Sequence, residues 1–128
     1  MPTGKPPGIA ADVVLHRVGG AAVANLRLSL LDLKETPPGI SVLLGGTPQE
    51  AATQMRRAYP RSWKWRQTAG TVATGTGGAV KQAGFDVIPD PTSHFPNHAR
   101  LIHPAGAAGF TDANLAALAK VLTETTEC

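Results

Sequence analysis

Apolar and polar positions alternate in several short runs of the chain, a spacing typical of half-buried β-strands. Alternating runs, together with short continuous runs of apolar and β-branched residues, predict six or seven strands, at 12–18, 25–31, 40–44, 62–68, 71–74, 85–88 and 98–103. Glycine or proline closes most of these runs, so the pattern predicts many short elements and no long one.

Three other segments carry the signals of helices. Thr47, Pro48 and Glu50 supply an N-cap hydroxyl, a proline at the first helical position and an acid three residues after the cap. The helix that begins there should end near residue 58, because a proline follows at position 60. A short helix is predicted over 75–83 and a last one over 111–123, after which the chain should fray.

Together these elements predict an α+β fold with a small mixed or antiparallel sheet of about six short strands and three helices. We expect the chain of 128 residues to have two parts. Residues 1–8 form a flexible tail rich in proline and glycine, and residues 9–128 form a single globular domain. The composition agrees with a folded domain, since 42% of the residues are hydrophobic and 16% are charged.

Several classes of protein are disfavoured by composition. The one cysteine, Cys128, cannot form a disulfide within the chain or a thiolate metal cluster. Residues 1–7 lack the apolar segment of a secretory signal, and no apolar run is long enough to span a bilayer. We therefore expect a cytoplasmic protein that does not associate with membranes, and no motif implies a cofactor.

The middle of the chain is strongly basic, because residues 51–85 contain no Asp or Glu. Cations interleaved with aromatic residues suit single-stranded nucleic acid and suit an acidic protein equally. The alternative is that Trp63 and Trp65 lie in the core and the cations form a solvated rim. The predicted partner-binding residues are Arg56, Arg57, Arg61, Lys64 and Arg66, together with Arg100 on a later strand.

Three of the four histidines lie in the segment 94–103. Histidine and aspartate are metal ligands, and His94, His98, Asp86 and Asp90 are close in sequence. A proline at position 96 prevents the two histidines from sharing a helix face, and strand parity puts position 103 opposite position 98. No metal site is therefore predicted, and the alternative role of these histidines is to fix the loop by hydrogen bonds.

A second group of polar residues comes from separate strands, namely His16, Arg17, Ser41, His98 and Arg100. These residues can converge in one site if their strands are neighbours. Ser41 lies in the sequence G-I-S-V-L, which lacks the second glycine of a nucleophile elbow, so acyl transfer has little support. The alternative is that the serine simply packs within a strand.

Four short motifs carry a resemblance to a group of bacterial open reading frames. They are G-I-S-V at 39–42, T-P-x-E at 47–50, G-F-D-V-I-P-D-P at 84–91 and N-H-A-R-L at 97–101. In this order they resemble short reading frames, many without an assigned function, that are associated with bacterial conflict and defence loci. The resemblance implies a small bacterial accessory protein.

The leading hypothesis is that the protein binds a macromolecular partner through its basic residues. One alternative is an ADP-ribosyltransferase-like enzyme or toxin acting on NAD. Such enzymes are similar to this chain in their mixed strands, in a His or Arg on the first strand (here 16–17) and in a Ser on a later one (here 41). Their usual catalytic Glu has no clear counterpart here. A metal-dependent hydrolase is the second alternative.

These hypotheses make different structural predictions. An enzyme requires Arg17, Ser41 and His98 to meet in one cleft. A binding module requires the predicted basic residues to form one continuous exposed patch. A metal-dependent hydrolase requires His94, His98 and an aspartate to come within ligand distance of one another.

Overall fold

The computed structural model describes residues 10–62 and 70–128. These residues form one antiparallel sheet of six strands with four α-helices, so the α+β class is confirmed. The predicted tail at 1–8 lies outside the described residues. So does nearly all of the predicted strand at 62–68.

The bounds of the elements follow the short runs of the sequence. The strands are β1 Val14–Val18, β2 Gly39–Leu44, β3 Val72–Thr76, β4 Asp86–Pro89, β5 His98–Ile102 and β6 Thr123–Thr125. The helices are α1 Val23–Leu26, α2 Pro48–Ala58, α3 Gly77–Gln82 and α4 Asp112–Lys120. Short 3₁₀ turns occupy Asp32–Lys34 and Gly106–Gly109.

The strand order is β4-β5-β2-β1-β3-β6, and all neighbours are antiparallel. β1 is therefore an inner strand, paired with β2 on one side and β3 on the other. Five residue pairs join β1 to β3, but only two join β1 to β2, namely Leu15 with Leu44 and His16 with Leu43. The β1–β2 ladder thus stops before Arg17.

The helix count is four among the described residues, one more than predicted, because the predicted strand at 25–31 does not form. Its alternating leucines instead belong to α1 and to the loop that follows, where Leu26 is fully buried and Leu30 is 82% exposed. The amide of Asn25 donates hydrogen bonds to the carbonyls of Val18 and Gly20. These bonds fold the chain back directly after β1, so it cannot run on as a strand.

The helix starts are set by threonine caps. Thr47 accepts a hydrogen bond from the Glu50 amide and donates its own amide to the Glu50 carboxylate, which completes the predicted capping box of α2. Thr76 and Thr111 cap α3 and α4 through their hydroxyls. The predicted fraying at 123–128 is wrong, because 123–125 pair with β3 as an edge strand.

The sheet buries apolar side chains on both of its faces. On one face, Leu15, Ile40 and Leu101 pack with Leu115 and Leu118 of α4. On the other face, the apolar cluster comprises Val18, Leu43, Val72, Phe95 and, from α2, Ala51 and Ala52. Because side chains alternate along a strand, β1, β2 and β3 each contribute to both clusters.

No helix in the described part of the chain is long and apolar enough to cross a membrane.

Candidate functional site

A cleft of about 700 Å³ opens beside α2 on the second face of the sheet. It brings together four of the five residues that the sequence grouped, since His16, Arg17, Ser41 and His98 all contribute to its lining and Arg100 does not. The remaining lining residues come from β1 and β2, from α1 and the segment after it, from α2 and its C-terminal end, and from the loop before β5. The cleft therefore joins residues that are far apart in sequence.

Strand register explains how His16, Ser41 and His98 come to share one face of the sheet, whereas Arg17, next to His16 on β1, projects from the other face. Thr74 pairs with His16, His16 pairs with Leu43, and Leu43 pairs with His98. Directly paired residues of antiparallel strands project from the same face, so these four form one row across β3, β1, β2 and β5. Ser41 lies two positions from Leu43 and therefore also projects from this face.

His16 is fully buried, and both of its ring nitrogens make hydrogen bonds. Its Nε2 lies 3.1 Å from the carbonyl oxygens of Gly45 and Gly46, and its Nδ1 lies 2.8 Å from the Thr74 hydroxyl oxygen. Since carbonyls only accept, Nε2 carries the hydrogen and Nδ1 accepts from Thr74. Burial lowers the pKa of His16, although the two carbonyls oppose that shift. The ring is a neutral structural link between three segments.

His98 is held through one nitrogen only. Its Nδ1 lies 2.7 Å from the carbonyl oxygen of Asp90 and 3.4 Å from the Oδ2 of the same residue. Because the carbonyl must accept, Nδ1 carries the hydrogen and Nε2 holds a lone pair. No residue within 10–62 or 70–128 forms a hydrogen bond to that Nε2. His98 therefore offers the cleft a nitrogen that can accept a proton.

Ser41 pairs with Arg100 on β5, which makes His98 its diagonal neighbour. Diagonal neighbours in an antiparallel pair lie about 7–8 Å apart at Cα. The Ser41 hydroxyl forms no hydrogen bond to His98 or to any other described residue. A nucleophilic Ser–His pair is therefore not assembled, and the hydroxyl remains able to contact a ligand.

Arg17 is clamped where β1 and β2 separate. Its Nε and Nη2 donate to the carbonyl of Asn25, at 3.0 and 2.7 Å, and its Nη1 donates to the carbonyl of Ser41 at 2.9 Å. A guanidinium has five N–H donors, and these bonds use three of them. The other two, one on each Nη, have no acceptor among the described residues. Arg17 is thus a rigid cation that contributes to the cleft lining and has two N–H donors without an acceptor in the described residues.

The charge of Arg17 is only weakly compensated by the described residues. Burial lowers the pKa of its guanidinium, and the negative charge of Asp32 acts in the opposite direction. No carboxylate within 10–62 or 70–128 forms an ion pair with it, and the Asp32 Oδ2 accepts a hydrogen bond from the Ser29 amide. A buried cation without a direct counterion favours the binding of an anion.

The cleft lining also includes apolar and aromatic side chains. Leu28, Leu31 and Met55 contribute to it, as do Tyr59 and Phe95, whose ring centroids lie 6.1 Å apart. The lining therefore combines a cation, Arg17, with an aromatic part formed by Tyr59 and Phe95. This combination suits a ligand that joins a flat ring to an anionic group.

The predicted basic residues are not equivalent. Arg57 and Arg61 are exposed, whereas Arg56 is partly buried and donates to the carbonyl of Cys128 at 3.0 Å. Arg100 is only 8% exposed, and its Nη1 donates to the carbonyl of Pro37. Arg100 therefore does not belong to a surface patch, and the predicted positions 64 and 66 lie outside the described residues.

The histidines of 94–103 do not form a metal centre. His94 and His98 both line the cleft, but His103 packs edge-on against Phe85 and accepts a hydrogen bond from the Ala105 amide. Across 10–62 and 70–128, no group of three or more His, Cys, Asp or Glu residues can hold a metal ion. The described residues therefore give the metal-dependent hydrolase no support.

The chain matches no protein-family model, and comparisons with curated proteins and with solved structures found no significant similarity.

Sequence reasoning missed several residues that shape the cleft. Asn25 supplies the carbonyl that clamps Arg17, and Tyr59 and Phe95 supply the aromatic part. Asp90 was considered only as a metal ligand, whereas its carbonyl fixes the ring of His98. Backbone carbonyls carry no signal in a sequence. The sequence therefore identified the side chains of Arg17, Ser41 and the two histidines, but not the carbonyls that hold them.

Proposed function

We propose that the protein is an enzyme of the ADP-ribosyl-transfer class that takes NAD as its substrate in the cleft. The observation that carries this proposal is the convergence of Arg17, Ser41 and His98, which come from three strands and line one cleft. The enzyme hypothesis requires these three residues to meet in one cleft. A sheet in which the same polar residues have only a structural role does not require them to meet.

The diphosphate of NAD matches the two open donors of Arg17. Phosphate oxygens accept hydrogen bonds from guanidinium groups in paired geometry, and such charge-assisted bonds are strong. The hydrogen bonds to Asn25 and Ser41 hold the guanidinium in place before the ligand arrives. A preorganised cation loses little side-chain entropy when it binds an anion.

The nicotinamide and the sugar need other parts of the cleft lining. Transfer breaks the bond between the sugar carbon C1′ and the ring nitrogen of nicotinamide, and the sugar develops positive charge. The Tyr59–Phe95 pair offers a surface on which a flat ring can pack. The Ser41 hydroxyl can donate to and accept from a sugar hydroxyl. At about 700 Å³, the cleft lies within the size range of ligand sites.

NAD binding and nicotinamide release by the purified chain test the proposal. We expect wild type to bind NAD with a dissociation constant in the range of about 1 μM to 1 mM, typical of enzyme substrates. Arg17→Lys should weaken binding, because an ammonium cannot replace two fixed guanidinium donors. Ser41→Ala should slow release without loss of folding.

Arg57→Lys is the matched control, since this exposed arginine does not line the cleft. The control should bind and release like wild type. Melting curves of all variants separate a local loss from unfolding. Wild type that neither binds NAD at millimolar concentration nor releases nicotinamide would overturn the proposal.

A second candidate function, binding of a macromolecular partner, is favoured by one specific observation. In the loop after α1, Leu30, Leu31 and Leu33 are 82%, 73% and 50% exposed. Adjacent exposed leucines on a small domain mark interaction surfaces. This function agrees with the expected role of a small bacterial accessory protein in a conflict system.

The test of this second function compares wild type with Leu30→Ser/Leu31→Ser and with Arg57→Glu/Arg61→Glu. A purified protein or nucleic acid that binds wild type and loses affinity for one of the variants would support it. The variant that loses affinity would also identify the surface. A nucleic acid partner should dissociate steeply as salt rises. Equal binding by wild type and both variants would contradict it.

A further inference from the structure

The proposed reaction needs a group that takes a proton from the attacking hydroxyl, and none of the described residues that line the cleft is a glutamate. Asp32 is the one carboxylate among these described residues, and its Oδ2 accepts from the Ser29 amide. Glu124 lies on the edge strand β6, where its Oε2 accepts from the Ala21 amide. A different residue must therefore act as the base.

The Nε2 of His98 is the available proton acceptor. The Asp90 carbonyl, 2.7 Å from Nδ1, fixes the tautomer in which Nε2 holds the lone pair. His98 contributes to the lining of the cleft, on the same sheet face as Ser41. His16 cannot accept this proton, because both of its ring nitrogens already form hydrogen bonds. Nδ1 binds the Thr74 hydroxyl, and Nε2 binds the carbonyls of Gly45 and Gly46.

Asp90 is held beside the ring of His98 by a backbone hydrogen bond and by a buried cation. Its backbone N–H donates to the carbonyl of His98 at 2.9 Å. The Oδ2 of Asp90 lies 3.2 Å from the Nε of Arg100, and that nitrogen is buried without a hydrogen bond in the described residues. The other end of the guanidinium is held by the carbonyl of Pro37. Attraction between the carboxylate and this anchored cation therefore adds to the backbone contact.

We infer that the Nε2 of His98 is the proton acceptor of the transfer and that Asp90 is the positioning residue for His98. The inference rests on the proposed function. As the oxygen of water or of a hydroxyl acceptor attacks C1′, the C1′–N bond breaks and its electron pair goes to nicotinamide. The hydroxyl proton passes to Nε2, so charge and atoms balance. Arg100 serves this reaction only through Asp90.

The charged groups around His98 come from several elements. Asp90 and Arg100 lie behind the ring, while Arg17, Asp32 and His94 line the same cleft. His16 is two strands away along the row. Since these groups all influence a pH profile, the tautomer of His98 is the more specific readout.

The test measures the ring nitrogens of His98 by ¹⁵N NMR in parallel with nicotinamide release. Wild type should show a hydrogen on Nδ1 and none on Nε2. Asp90→Ala keeps the backbone carbonyl but removes the carboxylate, whose Oδ2 lies 3.4 Å from Nδ1 and 3.2 Å from the Nε of Arg100, so the tautomer with the hydrogen on Nε2 should gain population. Turnover should be slower by roughly 10- to 100-fold, with unchanged affinity for NAD. Asp90→Asn preserves the size of the side chain and should fall between the two. Asp86→Ala, on β4, should behave like wild type.

His98→Asn separates the two nitrogens. Its amide can still donate to the Asp90 carbonyl but supplies no proton acceptor, so turnover should fall by about 100-fold or more while NAD still binds. Added imidazole should restore part of the rate. Two NMR results would overturn the positioning role of Asp90, whether or not NAD is a substrate. One is a hydrogen on Nε2 of His98 in wild type, and the other is a tautomer of His98 in Asp90→Ala that is unchanged from wild type.

Inactive wild type with the Nδ1 hydrogen in place would instead refute the proposed function, and the proton-acceptor role with it. Full turnover by His98→Asn would refute that role alone.

Discussion

His16 and His98 occupy the same row of the sheet, with Leu43 between them, yet their surroundings differ completely. Two strand spacings separate them, which is roughly 10 Å. His16 is fully buried and uses both ring nitrogens, whereas the described residues engage only one nitrogen of His98. The same residue type thus joins three segments at one position and presents a lone pair to the cleft at the other.

The difference shows that hydrogen-bond satisfaction separates a structural histidine from a candidate catalytic one. Both residues have polar neighbours and both contribute to the cleft lining. A buried ring whose two nitrogens are matched gains nothing from a ligand, and it loses stability if it is replaced. A ring with only one hydrogen-bonded nitrogen is held in one orientation, and its other nitrogen can still accept a proton.

The largest effect should follow from removal of the His16 ring. His16→Leu leaves the carbonyls of Gly45 and Gly46 and the Thr74 hydroxyl without their partner, so we expect a loss of about 2–4 kcal/mol in the free energy of unfolding. His98→Asn, which keeps a donor for Asp90, should lose less than about 1 kcal/mol. Urea unfolding measures both. Equal losses would remove the distinction between the two rings.

A smaller effect should come from the partner of His16. Thr74→Val preserves the β-branched shape on β3 but deprives the His16 Nδ1 of its donor, which should cost about 1–2 kcal/mol. The matched control is Thr53→Val on α2, because Thr53 is not among the hydrogen-bond partners of His16. The comparison uses urea unfolding at neutral pH. No cost at Thr74 would mean that Nδ1 does not depend on the hydroxyl.

The pH dependence of stability should carry the signature of His16. Burial lowers its pKa from 6.5 in the folded state, so the unfolded chain binds more protons below that pH. The free energy of unfolding should therefore fall as pH drops from about 6.5 toward the folded pKa, by at most about 1.4 kcal/mol per pH unit for one proton.

Unfolding of wild type and His16→Gln at about pH 7.5 and about pH 5.5 measures this dependence. The glutamine can still donate to the glycine carbonyls but does not titrate. Its stability should therefore fall less than that of wild type over this interval. An equal fall in both proteins would assign the pH dependence to other groups.

The smallest effect on stability should be that of Ser41→Ala. The Ser41 hydroxyl has no partner in the described structure, so the free energy of unfolding should change by less than about 0.5 kcal/mol. Thermal melts of the two proteins would show this directly. A clear loss of stability would mean that the hydroxyl has a structural role like that of His16.

The sequence predicted local features well. The capping box at Thr47 predicted the start of α2, and the short apolar runs located five of the six strands. Alternation failed at 25–31, because no neighbouring strand is available there and the Asn25 amide folds the chain back. It also gave no sign of β6, whose formation depends on pairing with β3.

The residues of the candidate site were identifiable, but their environments were not. His16, Arg17, Ser41 and His98 could be grouped as polar residues of separate predicted strands. The partners that distinguish them are Thr74, the Gly45–Gly46 carbonyls and the Asp90 carbonyl, and these lie 58, 29–30 and 8 positions from the ring that they contact. Such distant contacts depend on strand order, which periodicity alone does not determine.

The early position of β1 in the chain has a consequence for the kinetics of folding. β1 lies inside the sheet, and its longest ladder joins residues about as far apart as His16 and Thr74, which are 58 positions apart. Loops of that length must close before the inner strands are paired, and such contacts slow folding relative to helical proteins of similar size. During synthesis, the edge of β1 that pairs with β3 must stay unpaired until β3 has left the ribosome.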